Sequence, residues 1–150
     1  MAFNEINSDE ESTLKDRYLT FPLANDILAI ELEYVKEIIG IQSMTKVPKT
    51  PDFLEGVINL RGKPIPVISV RKRFGLEQVE FDYKTSFVIV EYKNTTIALL
   101  VDLVRDVVEA KEQQMSPYKN NTDNSNYLKS IAKINDETIM FIDCEKFLDI

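Results

Sequence analysis

The sequence predicts a mainly β protein built from small antiparallel barrels. Three observations predict it: short apolar runs recur along the 150-residue chain, turn-forming pairs separate them, and only two brief stretches read as helix. The length suits one domain, or two small barrels sharing one chain.

Residues 1–16 carry five acids against Lys15 and few large apolar side chains, the composition of a disordered acidic tail. Order is expected from Tyr18, and 17–150 is expected to form a single domain. Leu19, Phe21 and Leu23 alternate, which gives a strand one buried face, and residues 24–26 turn the chain into a returning strand at 27–32. The run EYVKEIIGI (33–41) fits one helical turn or a strand, because its apolar spacing suits both periods. Pro48 and Pro51 require an extended loop over 45–53. Further strands are expected at 57–60, 65–70, 85–92, 96–101, 131–134 and 138–143, with Lys93-Asn94 and Asn135-Asp136 as hairpin turns. Short helices are expected at 71–74, stopped by Gly75, and at 144–148. The run MSPYKNNTDNSN (115–126) reads as a mobile surface loop. Two similar hairpins, around Asn25 and Asn94, hint at two barrel halves.

Composition excludes several functions. With 44% hydrophobic residues the chain can bury a sizeable core, and its net charge of −7 argues against binding to nucleic acid or anionic lipid. There is no histidine, which removes Ser-His-Asp and Cys-His nucleophiles, the HExxH zinc site and a phosphoryl-accepting histidine. Cys144 is the sole cysteine, so neither a disulfide framework nor a multi-cysteine metal site is available. The amino terminus lacks the basic and apolar regions of a secretory signal. No run approaches the roughly 18 apolar residues of a membrane span, and the chain reads as cytoplasmic.

The stretch GVINLRGKPIPVISVRKRF, residues 56–74, is the most informative. Pro64 and Pro66 remove two donors from one side of a strand and leave Ile65 and Val67 to pair on the other. That pattern predicts an edge strand or one beside a bulge. Gly62 supplies the positive φ of a hairpin turn and leaves Arg61 at the tip, either solvated or held out for a partner. Across residues 56–76 there are five cations (Arg61, Lys63, Arg71, Lys72 and Arg73) and no acid, so one face is expected to be basic. Lys72 and Arg73 read as a solvated helix face. Glu37 stands alone among Val35, Ile38 and Ile39. Val101, Val104 and Val107 recur at i, i+3 spacing, as core or, where exposed, as the wall of an apolar groove. Asp102 and Asp106 would share a helical face if their segment were helical, which keeps open a small acidic β-barrel enzyme or ligand-binding module.

The run FLEGVINLRGKPIPVI, residues 53–68, closely resembles the signature of the CheW family of bacterial chemotaxis coupling proteins. Residues 18–30 look like that family's opening hairpin and Val35-Lys36-Glu37-Ile38-Ile39 like its V-x-E-I-I element. Val47-Pro48, the run 71–76, residues 100–108 and 139–148 also follow its pattern, so the resemblance spans about residues 17–149. It implies two intertwined five-stranded SH3-like barrels without catalytic activity or cofactor. Such proteins are adaptors that link the cytoplasmic tips of chemoreceptors to the regulatory domain of the histidine kinase CheA, and build array rings with it. By the same resemblance, Arg61, Glu37, Val104 and Val107 belong to a receptor-binding surface, and Val35 and Gly56 to a kinase-binding one. Asn59, Gly62, Pro64 and Pro66 shape the turn. Ser69 departs from the family's frequent Asp or Asn before the helix, and Leu103 from a frequent Gly or Ala.

Overall fold

Apolar runs without polar interruption, at 27–30, 87–90 and 97–101, need covering on both faces. The chain meets that need with two sheets packed against each other through a common core. The computed structural model describes residues 14–119 and 126–150. Of the expected acidic tail only 14–16 fall among them, and residues 120–125 of the asparagine-rich run lie outside the described residues.

The first sheet contains β1 (Arg17–Leu23), β2 (Asp26–Glu31), β8 (Val107–Glu109), β9 (Met115–Pro117), β10 (Leu128–Ile134) and β11 (Glu137–Ile142), ordered β8-β1-β2-β11-β10-β9. The second contains β3 (Val35–Gly40), β4 (Leu54–Leu60), β5 (Lys63–Ser69), β6 (Ser86–Tyr92) and β7 (Thr95–Val101), ordered β3-β6-β7-β5-β4. Both ends of the chain therefore build one sheet and its middle builds the other, which is how the two are intertwined. Hairpins pair neighbours antiparallel, while β2 with β11 and β5 with β7 run parallel. The Asn25 and Asn94 hairpins fall one in each sheet, as the sequence hinted. The first sheet has a sixth strand because β8 and β9 are three-residue pieces at its two edges. Met115–Pro117 is thus a strand rather than loop, paired with β10.

Alternate residues of the same strand feed different cores. Leu28 and Ile30 of β2, Val88 and Val90 of β6, and Ile97, Leu99 and Val101 of β7 meet in one large cluster between the sheets. Their neighbours Phe87, Ile89, Ala98 and Leu100 fill the second barrel with Ile58, Ile65 and Val67. Ala29 joins Tyr18, Ile139 and Phe141 inside the first. Strands with two buried faces carry no polar alternation, hence the continuous apolar runs.

The ambiguous run 33–41 is both things in turn: a 3-10 turn at Leu32–Tyr34, then β3. A bulge between Val35 and Glu37 adds Lys36 against β6. Val35 and Ile38 consequently reach the same core at a spacing of three, which mimics a helical period. Two one-turn helices follow strands, α1 (Val70–Arg73) and α2 (Cys144–Phe147). Ser69 Oγ accepts from the Lys72 N–H at 3.1 Å, so the serine caps α1. Asp143 caps α2 in the same way.

The prolines of β5 answer to the second of the two expected settings. β5 lies between β7 and β4 rather than at an edge, but beside the β4 bulge at Glu55, and its pairing to β7 begins only at Val67. Pro64 and Pro66 occupy the half of the strand that has β4 alone as neighbour. Val57 exchanges backbone hydrogen bonds with Thr45, so the flanking Ile58 turns its own toward Ile65 of β5 and no proline nitrogen is asked to donate.

Leu99 is fully buried in the cluster both sheets share. Leu99→Ala is expected to lower stability by about 2–5 kcal/mol. Urea unfolding followed by circular dichroism and tyrosine fluorescence should give one shared transition; two separated transitions would show that the sheets fold independently. Cys144 is buried against the same cluster, and desolvation, with Glu31 nearby, pushes its thiol from an ordinary 9.0 up to about 12. An unfolded chain sheds that proton from near pH 9 and the native one does not, so this thiol's stabilisation falls as pH rises from 9 toward 12. Iodoacetamide at mildly alkaline pH should label Cys144 only after urea is added.

Candidate interaction surface

The β4–β5 hairpin is built to hold one side chain. Leu60 pairs with Lys63, leaving Arg61 and Gly62 as a two-residue turn with φ of 51° and 83°. Two successive positive φ values define a type I′ turn, which matches the twist of the flanking strands. Asn59 Oδ1 accepts from the Gly62 N–H at 2.9 Å, and Gln42 Nε2 donates to the Asn59 carbonyl at 3.0 Å. The sequence expectation put the positive φ on Gly62 alone; Arg61 shares it, a conformation uncommon for a residue with a Cβ.

Arg61 is 70% exposed at this tip, and it is not free. Its Nη2 lies 2.5 Å from Glu37 Oε2 and its Nη1 3.2 Å from Oε1, a two-pronged contact. The hydrogen bond first, and the charge second, hold the guanidinium more firmly protonated than usual. Glu37 stands on β3 and Arg61 beyond β4, the two outer strands of the second sheet. The pair therefore straps one edge to the other, beside the Thr45–Val57 bridge that closes the same barrel.

Gly56 stands close against the backbone of the 44–45 segment. Its φ is +155°, and a Cβ there would stand 2.6 Å from the Thr45 carbonyl oxygen. Gly56 is buried and Val35 lies in the shared core, so neither presents a side chain to solvent. Val104 and Val107 belong to the other barrel. Both are half-buried against the shared core, on the segment that leads into β8 and pairs with β1.

The expected basic face is mostly neutralised. Arg71 pairs with Asp102, its Nη2 2.7 Å from Oδ2, and Lys72 with Glu55 at 2.7 Å. Arg73, expected to be solvated, is a clamp. Its guanidinium lies 4.0 Å from the Phe53 ring centre and 4.6 Å from that of Tyr127. It also donates to the carbonyls of Lys146, Phe147 and Asp149, tying α1 to the end of the chain. No local signal marked this role, since Phe53 and Tyr127 are far apart in sequence. The carboxylates considered for chemistry are also occupied. Residues 102–106 are not helical; Asp102 holds Arg71, and Asp106 accepts from the Thr20 hydroxyl and, through its carbonyl, from the Thr20 N–H of β1, while the Arg105 N–H donates back to the Thr20 carbonyl.

Two sheets with a common core, the second closed by the Thr45–Val57 bridge beside the Arg61–Glu37 pair, define a double SH3-like barrel. A family model for the CheW-like domain matches residues 17–150, and the chain belongs to that family. Chemotaxis protein CheW of Klebsiella aerogenes is 30% identical over 138 residues, covering 91% of this chain and 83% of its own. Chemotaxis protein CheW of Bacillus subtilis is 30% identical over 136 residues, covering 89% and 87%. The crystal structure of scaffolding protein TtCheW from Thermoanaerobacter tengcongensis matches with a TM-score of 0.82 at 33% identity, over 90% of this chain and 93% of that one.

Because a side chain at position 56 meets backbone, Gly56→Ala should lower stability by about 1–3 kcal/mol through strain at the Thr45–Val57 bridge. A thermal melt measures the loss. An unchanged melting temperature would mean that the 41–45 segment yields freely.

Proposed function

We propose that this chain is a non-catalytic chemotaxis adaptor. The coarse reading, a chemotaxis scaffold of the CheW family, follows from the family match and from relatives that carry those descriptions. The finer reading is that residues 17–150 act as one domain of two barrel subdomains. It couples the cytoplasmic tips of chemoreceptors to the regulatory domain of the histidine kinase CheA and joins that domain in array rings. On this reading the protein is cytoplasmic and sits at the inner membrane through the receptors. No helix among the described residues is long and apolar enough to cross a membrane.

The single observation that carries it is Arg61, raised on a hydrogen-bonded hairpin in the G-V-I-N-L-R-G run and kept in one orientation by Glu37. A planar guanidinium suits carboxylates and backbone carbonyls of a helical tip, where it donates two parallel bonds. Val104 and Val107 supply the half-exposed apolar contact of the receptor surface. Val35 and Gly56 act on the kinase surface indirectly, by fixing the course of β3 and β4. A receptor that changes state shifts the kinase only through contacts that differ between states. Weak individual contacts become firm when an array presents many copies.

Arg61→Ala should leave the melting temperature close to that of the parent and weaken binding to a receptor cytoplasmic fragment roughly tenfold or more. Isothermal titration beside a thermal melt measures both. Parent-like affinity in a folded Arg61→Ala protein would remove Arg61 from the receptor surface.

A further inference from the structure

Leu76, Val79, Phe81 and Tyr83 are exposed within one eight-residue segment between α1 and β6. Among the described residues the other exposed large apolar side chains are Val47 and Ile150. A concentration of this kind on a chain with ample core is the mark of a contact surface. Tyr83 is 91% exposed. Acids interleave with the apolar side chains: Glu77, Glu80 and Asp82.

The segment has no regular structure, yet it is anchored at both ends. The Leu76 N–H donates to the Arg71 carbonyl at 2.8 Å, and Gln78 Oε1 accepts from the buried Ser69 hydroxyl at 2.6 Å. Downstream, the Asp82 N–H donates to Thr85 Oγ1 at 2.9 Å, and Asp82 Oδ1 accepts from the Lys84 N–H at 2.8 Å. Between these anchors Val79, Glu80 and Phe81 are displayed as a preformed ridge, which reduces the ordering entropy a partner must overcome.

We propose that residues 76–83 are a second docking element, separate from the Arg61–Glu37 corner, whose occupant is a protein surface with an apolar cleft rimmed by Lys or Arg. Charge selects that occupant. Three acids in the segment, Glu77, Glu80 and Asp82, form no salt bridge among the described residues and favour a basic rim, and the alternation of apolar and acidic side chains fits a cleft with charged walls. A second copy of this chain brings a net charge of −7 and is the poorer match, as is an anionic membrane.

The test is in-cell photo-crosslinking from Tyr83→p-benzoylphenylalanine, with the same group at exposed Lys133 as the control position. The adduct is identified by mass spectrometry. The expected result is a discrete adduct with another protein, whose yield drops roughly tenfold when Glu77→Lys and Glu80→Lys are added. Val79→Ser with Phe81→Ser should remove it as well, in a protein whose melt is unchanged. Arg61→Ala should leave it in place, which separates this element from the adaptor corner. No adduct above the Lys133 control, an adduct with a second copy, or a yield indifferent to charge reversal would each overturn the proposal.

Discussion

The structure depends on strands that are buried on both faces. β2, β6 and β7 each divide their side chains between the interior of a barrel and the cluster the two sheets share. Neither barrel can be removed without exposing the apolar face that the other covers. Small barrels of this size bury little surface alone. The shared cluster supplies what each lacks, with Phe74, Phe147 and Leu148 covering it from the helical turns. A consequence for function is that sheet faces are spent on the core. What stays open to solvent is hairpin tips, barrel mouths and connecting segments, the places where Arg61, Val104 and residues 76–83 stand.

Three bulges adjust this scheme, and each sets a charged residue apart. Lys36 in β3, Glu55 in β4 and Lys129 in β10 are the extra residues at register shifts. Each finds an opposite charge: Lys36 with Glu91, Glu55 with Lys72, and Lys129 with Glu31. The bulge re-aims each extra side chain toward its partner, and Glu55 meets Lys72 while only 10% exposed. The bulge at Lys36 also places Glu37 on the side of the sheet that faces the hairpin. Glu37 reaches Arg61 because of an insertion one residue earlier.

Local chemistry was legible in the sequence wherever a rule acts over a few residues. Turn pairs marked the β6–β7 and β10–β11 hairpins, both built on two positive φ values, and Gly75 ended α1 with a φ of 81°. Prolines 64 and 66 marked a strand segment with one neighbour, though not that the same strand acquires a second neighbour at Val67. Long-range pairings were not legible. Nothing within 56–76 says that Arg71 meets Asp102, or that Arg73 lies between two rings, and so the cations looked like a solvated basic face. The strand at Met115–Pro117 was hidden for a related reason: its residues have little strand propensity and pair only because β10 offers an open edge. Family resemblance supplied Glu37 and Arg61 together, but geometry shows that they touch.

On the function proposed for Arg61, that contact bears on how a recognition arginine can be paired before its partner arrives. An isolated arginine at an exposed tip would sample many rotamers, and ordering it on binding would oppose association. Glu37 holds the guanidinium in one orientation from the side of the barrel, with one strong and one longer hydrogen bond. Both groups remain in contact with water, where an ion pair contributes little to folding. Exchange of Glu37 for a carboxylate or carbonyl on a partner is therefore a trade between similar bonds in similar surroundings. Burial would have made the same pair rigid and costly to open. An exposed pair at a barrel's mouth instead orients the donor while leaving its donors available, a condition that the mostly enclosed Arg71–Asp102 pair, with side chains about a fifth exposed, does not meet.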